Sequence, residues 1–150
     1  MKLLTRVSTL LDPLLVPLQP AVLLVARLYL AKVFIASGWL KLTNWSQTLD
    51  LFTSEYHVPV LPPAIAAVAG TTGELLFPSL LVLGLLGRPA AVGLFFVNAM
   101  AVISYKDVLF SDGFEAALGN HVLWGCMTVM LAVFGPGILS LDRLLNGKIR

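Results

Sequence analysis

Four stretches of this chain are apolar for long enough to cross a lipid bilayer: about residues 21–41, 64–86, 89–105 and 121–139. A membrane helix needs roughly 17–25 mostly apolar residues, each adding about 1.5 Å of rise. The sequence therefore predicts an all-α fold, an integral membrane four-helix bundle. Composition points the same way. Of 150 residues, 58% are hydrophobic and 12% charged, against about 45–50% and about 25% in ordinary soluble domains. A soluble globular enzyme of this size cannot hide that excess, and a disordered chain needs the opposite balance. A single cysteine excludes an internal disulfide framework, a CxxC redox pair and a cysteine-based zinc site. A net charge of +2 without a basic run gives no basis for nucleic-acid binding.

Residues 1–20 read as a cytoplasmic lead-in, residues 21–139 as the four-span domain and residues 140–150 as a cytoplasmic tail. Met1-Lys2 and the leucines after it suggest a signal peptide. Asp12, Pro13, Pro17 and Pro20 interrupt that run and no A-x-A site follows, which favours an amphipathic lead-in. In the first connector, Trp45, Leu49, Phe52 and Tyr56 repeat at helical spacing, predicting a short helix lying in the membrane interface. Gly87-Arg88 reads as a tight turn that makes spans two and three antiparallel neighbours. Residues 106–120 read as a polar loop, and Gly135-Pro136-Gly137 breaks the end of span four.

Lysine and arginine set the orientation. With both termini on one side, that side holds Lys2, Arg6, Arg27, Arg88, Arg143, Lys148 and Arg150, while the other holds Lys41 and Lys106. Both termini are therefore expected in the cytoplasm. Trp39, Trp45 and Trp124 then fall near the outer surface, as an interfacial belt would.

Ionisable and polar residues inside spans are costly and are functional candidates by default. Counted at about 1.5 Å per residue, Lys32, Glu74 and Asn98 all come near the midplane. The expected arrangement is a Lys32–Glu74 pair with Asn98 as a hydrogen-bonding neighbour. Such a pair reads either as glue between spans one and two or as a site that handles protons or grips a polar head group. Arg27 shares a helix face with Ala31, Phe34, Gly38 and Lys41. It either faces the bundle interior, with Asp142 as its partner, or snorkels to the head groups. Lys41, His57 and His121 lie toward the outer surface. The two histidines lack ligand-type spacing, so no metal site is expected. Cys126 reads as a small core residue.

Three segments carry a family resemblance. Span one reads RLYLAKVFIASGWLKL, with Arg27, Phe34, Ser37, Gly38 and Lys41. Span two and the start of span three read TTGELLFPSLLVLGLLGRPAAVGL, with Gly73, Glu74, Gly84, Arg88 and Pro89-Ala90-Ala91. The end reads NHVLWGCMTVMLAVFGPGILSLDRLL, closing on GPG-x-x-SLD from Gly135 to Asp142. In order and spacing these resemble the DoxX family of small bacterial membrane proteins, over about residues 22 to 145. The resemblance implies a four-helix bundle in the bacterial inner membrane and a link to quinones. The member that gives the family its name is the small subunit of a thiosulfate:quinone oxidoreductase, and others are associated with oxidative-stress or metal-stress operons. The polar positions that match the family pattern are Arg27, Ser37, Lys41, Glu74, Arg88, Ser140 and Asp142. Lys32 matches none, and Ser104-Tyr105-Lys106 stands where many members carry a histidine.

The functional expectation is a quinone-linked redox or stress-response accessory subunit. Glu74 is the candidate catalytic group, with Lys32, Arg27, Ser37, Lys41 and Asn98 as ligand-binding candidates and Phe34, Trp39 and Phe77 as nearby aromatics. No flavin, haem or cluster motif is present, so electrons would come from a protein partner or a diffusible donor, and whether the chain is itself an enzyme stays open. The alternatives are a non-catalytic membrane anchor or scaffold, with the first outer loop as docking surface, and a small transporter formed by an oligomer.

Overall fold

The computed structural model describes residues 11–146, and over them the chain is helical throughout, with turns but no strand. The elements are α1 (Gln19–Thr43), α2 (Trp45–Ser54), α3 (Pro63–Leu83), α4 (Gly87–Ser104), α5 (Lys106–Leu109), α6 (Glu115–Phe134) and α7 (Leu141–Asn146). Among the described residues, four helices are long and apolar enough to span a membrane, the first of them running from Leu11 to Thr43. Half of the predicted lead-in, residues 1–10, and the last four residues of the tail lie outside the described residues. From residue 11 the lead-in is itself helical, tightening to a 3-10 turn at Val16–Leu18 before α1. Pro17 and Pro20 supply no N–H and sit where a first turn needs none.

The boundaries differ from the sequence expectation where turn chemistry intervenes. The turn between α3 and α4 is Gly84–Leu86, not Gly87-Arg88. Gly84 (φ 64°) caps α3 by donating to the Leu80 carbonyl, and Leu86 (φ 51°) starts α4, which already includes Gly87 and Arg88. A side chain at Gly84 would meet Ser140 and Arg27, so this position needs glycine for space as well as for φ. Span four begins at Glu115, inside the predicted polar loop, and stops at Phe134 because Gly135 (φ 81°) leaves helical geometry. The predicted interfacial helix is α2. It is not a free surface helix, since Thr48 and Phe52 are buried and Phe52 packs on Ala66 and Ala67 of α3.

Each long helix buries one stripe. In α1 the stripe is Ala26, Arg27, Leu30, Ala31, Phe34 and Gly38, at three- and four-residue spacing. α1 packs chiefly on α3, α3 on α4 and α4 on α6. Small residues permit these approaches. Gly38 lies against Glu74 and Leu75, Gly73 against Val97, and Gly93 against the Phe77 ring. The central core joins Leu30, Phe34, Leu81, Leu94 and Leu131. The outward faces are covered with exposed large apolar side chains such as Val25, Leu40, Phe96 and Val133. On helices of membrane length, that surface is the lipid-facing one. Cys126 belongs to it: the thiol is exposed, not a core residue as its surroundings in sequence suggested.

Both ends of the described chain lie at the same end of the bundle, here called the termini end. The opposite, loop end carries α2, α5 and the connectors.

Candidate functional site

The sequence candidates separate into two places. Arg27 lies at the termini end and is 1% exposed. Its Nε donates to the Leu81 carbonyl, Nη2 to Val82, and Nη1 to Pro136 and Leu139, at 2.8 and 2.6 Å for the last two. Leu81 and Val82 end α3, where carbonyls lack their i+4 helical donor, and the Leu81 carbonyl accepts the Gly84 N–H at 3.1 Å besides Arg27. One guanidinium thus ties α1, the end of α3 and the Gly-Pro-Gly segment together. Asp142 is not its ion-pair partner. Its carboxylate oxygens accept the N–H groups of Leu86 and Gly87, both at 2.8 Å, capping the first turn of α4. The Asp142 N–H donates to the Gly84 carbonyl at 2.9 Å. Arg27 is therefore a fastener with four of its five N–H donors committed, not an open ligand-binding group.

Glu74 lies near the middle of α3, but its partner is Lys41, not Lys32. Lys41 Nζ donates to both carboxylate oxygens, at 2.8 and 2.7 Å, and to Ser37 Oγ at 2.8 Å. An ammonium has three protons, so all of them are committed. The pair is largely out of solvent, with side-chain exposures of 15% for Lys41 and 10% for Glu74. Lys32 is exposed beside Trp39 on the outward face of α1, which removes both from the site. Four residues after Glu74 stands Pro78, whose missing N–H leaves the Glu74 backbone carbonyl without its helical donor.

Asn98 does not join Glu74. It is buried on α4 and bonds His121 twice, Nδ2 to the His121 carbonyl at 2.9 Å and Oδ1 to Nδ1 at 2.8 Å. His121, read in sequence as a helix-terminal residue, is half-buried and packs its ring edge-on against Trp124 with centroids 4.9 Å apart. Trp124 in turn meets Phe34, so it sits inside the bundle and not in an interfacial belt.

These groups surround a cavity of about 600 Å³ in the loop half of the bundle. Ser37, Lys41 and Glu74 contribute polar atoms from α1 and α3, Ser104 from the end of α4, His121 from α6, and Tyr56 and Tyr105 from the connectors, while Trp124 lines it with its ring, its indole N–H being enclosed without a partner. The remaining wall is apolar, including Phe34, Phe52 and Phe77. Leu61, Ala69 and Phe96 also line it and are exposed on the outer surface, where α3 and α4 face lipid. Phe52, Tyr56 and Tyr105 stack edge to face, at 4.9 and 5.0 Å, and close the loop end. Burial, then the neighbouring Tyr105, Glu74 and Glu55, hold the Tyr56 phenol above its ordinary range, so it keeps its proton. Sequence reasoning missed Tyr56, His121 and Trp124 as site residues, because they meet only in the folded bundle.

An apolar slot with a few convergent polar groups has the make-up of a small-molecule site, and its volume is within the range of roughly 300–1,000 Å³ usual for such sites. The comparisons with known proteins agree with the architecture. The DoxX family model matches residues 22–107. The chain is 31% identical over 133 residues to inner membrane protein YphA of Escherichia coli (strain K12), covering 83% of this chain and 91% of the relative. It is 30% identical over 138 residues to inner membrane protein YqjF of the same strain, covering 87% and 97%. No solved structure matches the chain significantly. A family model that spans more than half of the chain, relatives matched over nearly their whole length and four membrane-length helices together establish this chain as a DoxX-family inner membrane protein.

Proposed function

We propose that the loop-end cavity binds a quinone-type head group and that the chain is a redox accessory subunit working with a protein partner. The observation that carries this reading is the Lys41–Glu74–Ser37 cluster set in the wall of an otherwise apolar cavity between the helices. A quinone needs an apolar slot for its tail, flat apolar surfaces for its ring, and groups that meet its oxygens and exchange protons. Leu61 and Phe96 stand where a tail would leave toward lipid, Phe34, Phe52 and Trp124 where a ring would pack, and Ser37, Tyr56 and Glu74 where its oxygens would lie. Glu74 is the proton-exchanging group of this reading, since intramembrane carboxylates commonly serve proton relays. The partner supplies or accepts the electrons.

The test is mass spectrometry of what co-purifies with the detergent-solubilised protein, beside a Glu74→Gln control. The expected result is a stoichiometric quinone in the wild type that is lost in the control. An empty protein, or the same lipids in both samples, would favour the scaffold alternative and turn the search to a protein partner.

Orientation belongs to the same reading. We place the termini end in the cytoplasm on the lysine and arginine count, which puts the cavity in the periplasmic half of the bilayer. A fluorescent protein fused to the C-terminus should glow and a phosphatase fused there should be inactive. The reverse pair of results would invert the topology.

A further inference from the structure

His121 and Asn98 together fix something that the cavity outline alone does not. The Asn98 side chain faces the His121 backbone carbonyl at 2.9 Å and the His121 Nδ1 at 2.8 Å. A carbonyl only accepts, so the amide nitrogen must be the group that faces it. The amide oxygen is then the atom facing the ring. It too only accepts, so Nδ1 must carry the ring proton. In a neutral imidazole the other nitrogen, Nε2, is then a bare acceptor. Among the described residues, Nε2 has no hydrogen-bond partner, and it is not one of the fully buried unpartnered atoms. His121 lines the cavity, whereas Asn98, which holds its Nδ1, does not.

The opposite wall has the same polarity. The three Lys41 protons are committed to Glu74 and Ser37. The Glu74 carboxylate and the Pro78-released backbone carbonyl of Glu74 are acceptors only. Free protons come from the hydroxyls of Ser37, Tyr56 and Ser104, each of which can also accept, and the unpartnered Trp124 indole N–H is fully enclosed, whereas Nε2 can only accept. An oxidised quinone presents two carbonyl oxygens, both acceptors, and would set lone pair against lone pair at Nε2. A hydroquinone presents two O–H donors.

We infer that the cavity selects the reduced, hydroxyl-bearing form of the ring, with one O–H donated to His121 Nε2 and with Asn98 as the positioning residue that keeps Nε2 bare. This rests on the quinone reading above and adds which redox form the site holds.

The chain has two histidines, and the His57 side chain is 70% exposed, so a His57→Gln background leaves His121 as a single reporter. In that protein, labelled with ¹⁵N at histidine and held in detergent micelles, Nδ1 is expected at the shift of a protonated nitrogen and Nε2 at that of a bare one. Under argon, a decyl-tailed hydroquinone should move the Nε2 signal. It should bind roughly tenfold more tightly than the matching quinone, the worth of about one hydrogen bond. Asn98→Leu should mix the two tautomers and remove the tenfold preference, and His121→Gln should remove the preference without abolishing binding. A protonated Nε2 in the free protein would overturn the inference. So would equal affinity for the two forms with an unmoved Nε2 signal, and that result would leave the quinone reading standing. Failure of both forms to bind would remove the reading and the inference together.

Discussion

Arg27→Leu is expected to be the most damaging single substitution in the bundle. Leucine keeps an apolar filling but withdraws the donors that meet the carbonyls of Leu81, Val82, Pro136 and Leu139. Each buried carbonyl left without a partner costs about 1–3 kcal/mol. Even with part of that recovered by rearrangement or water, the loss should be on the order of 4 kcal/mol. In detergent this would appear as a melting temperature lowered by about 10 °C. Arg27→Lys should recover little, because a point-like ammonium cannot fork to carbonyls on two segments. A variant melting with the wild type would mean that the carbonyls find other donors, and the fastening role would be lost.

The second large effect is expected at the ion pair. Lys41→Met leaves a carboxylate stranded in a poorly hydrated site, at a cost of about 3 kcal/mol. Lys41→Met combined with Glu74→Gln removes both charges and should be more stable than the sum of the two single losses by at least about 1 kcal/mol. Lys32→Met, on the outward face, should stay within about 0.5 kcal/mol of the wild type. Additive losses at Lys41 and Glu74 would show that the two charges do not depend on each other. A large loss at Lys32 would return the pairing to the residue first suggested by depth.

That contrast indicates how far sequence could reach. The bundle was legible because the bilayer admits few solutions for four long apolar segments. Lys32 was matched to Glu74 by counting rise along the helices, and rise alone was the wrong coordinate. Around the axis, Lys32 is about 140° from Arg27, whereas Lys41 is about 40° from it. The buried stripe already identified through Arg27, Ala31, Phe34 and Gly38 thus pointed to Lys41, whose four-carbon stem brings its ammonium to Glu74. The Asn98–His121 contact had no comparable signal. Its residues lie 23 positions apart on different helices, and neither spacing nor charge links them. The Arg27 contacts were equally hidden, because their acceptors are backbone carbonyls and carry no side-chain signature.

The polar ties described above are unevenly placed, and this bears on how a hydrophobic molecule would reach the cavity. Arg27 and Asp142 pin the helices at the termini end. Between α3 and α4, by contrast, no side-chain hydrogen bond crosses among the described residues, and the seam closes on glycines set against Phe77 and Val97. Parting that seam breaks dispersion contacts, which lipid tails or an incoming isoprenoid chain can replace atom for atom. For a molecule that came from the bilayer, passage would then be a sideways wedge between two blades riveted at one end, with no backbone bond to break.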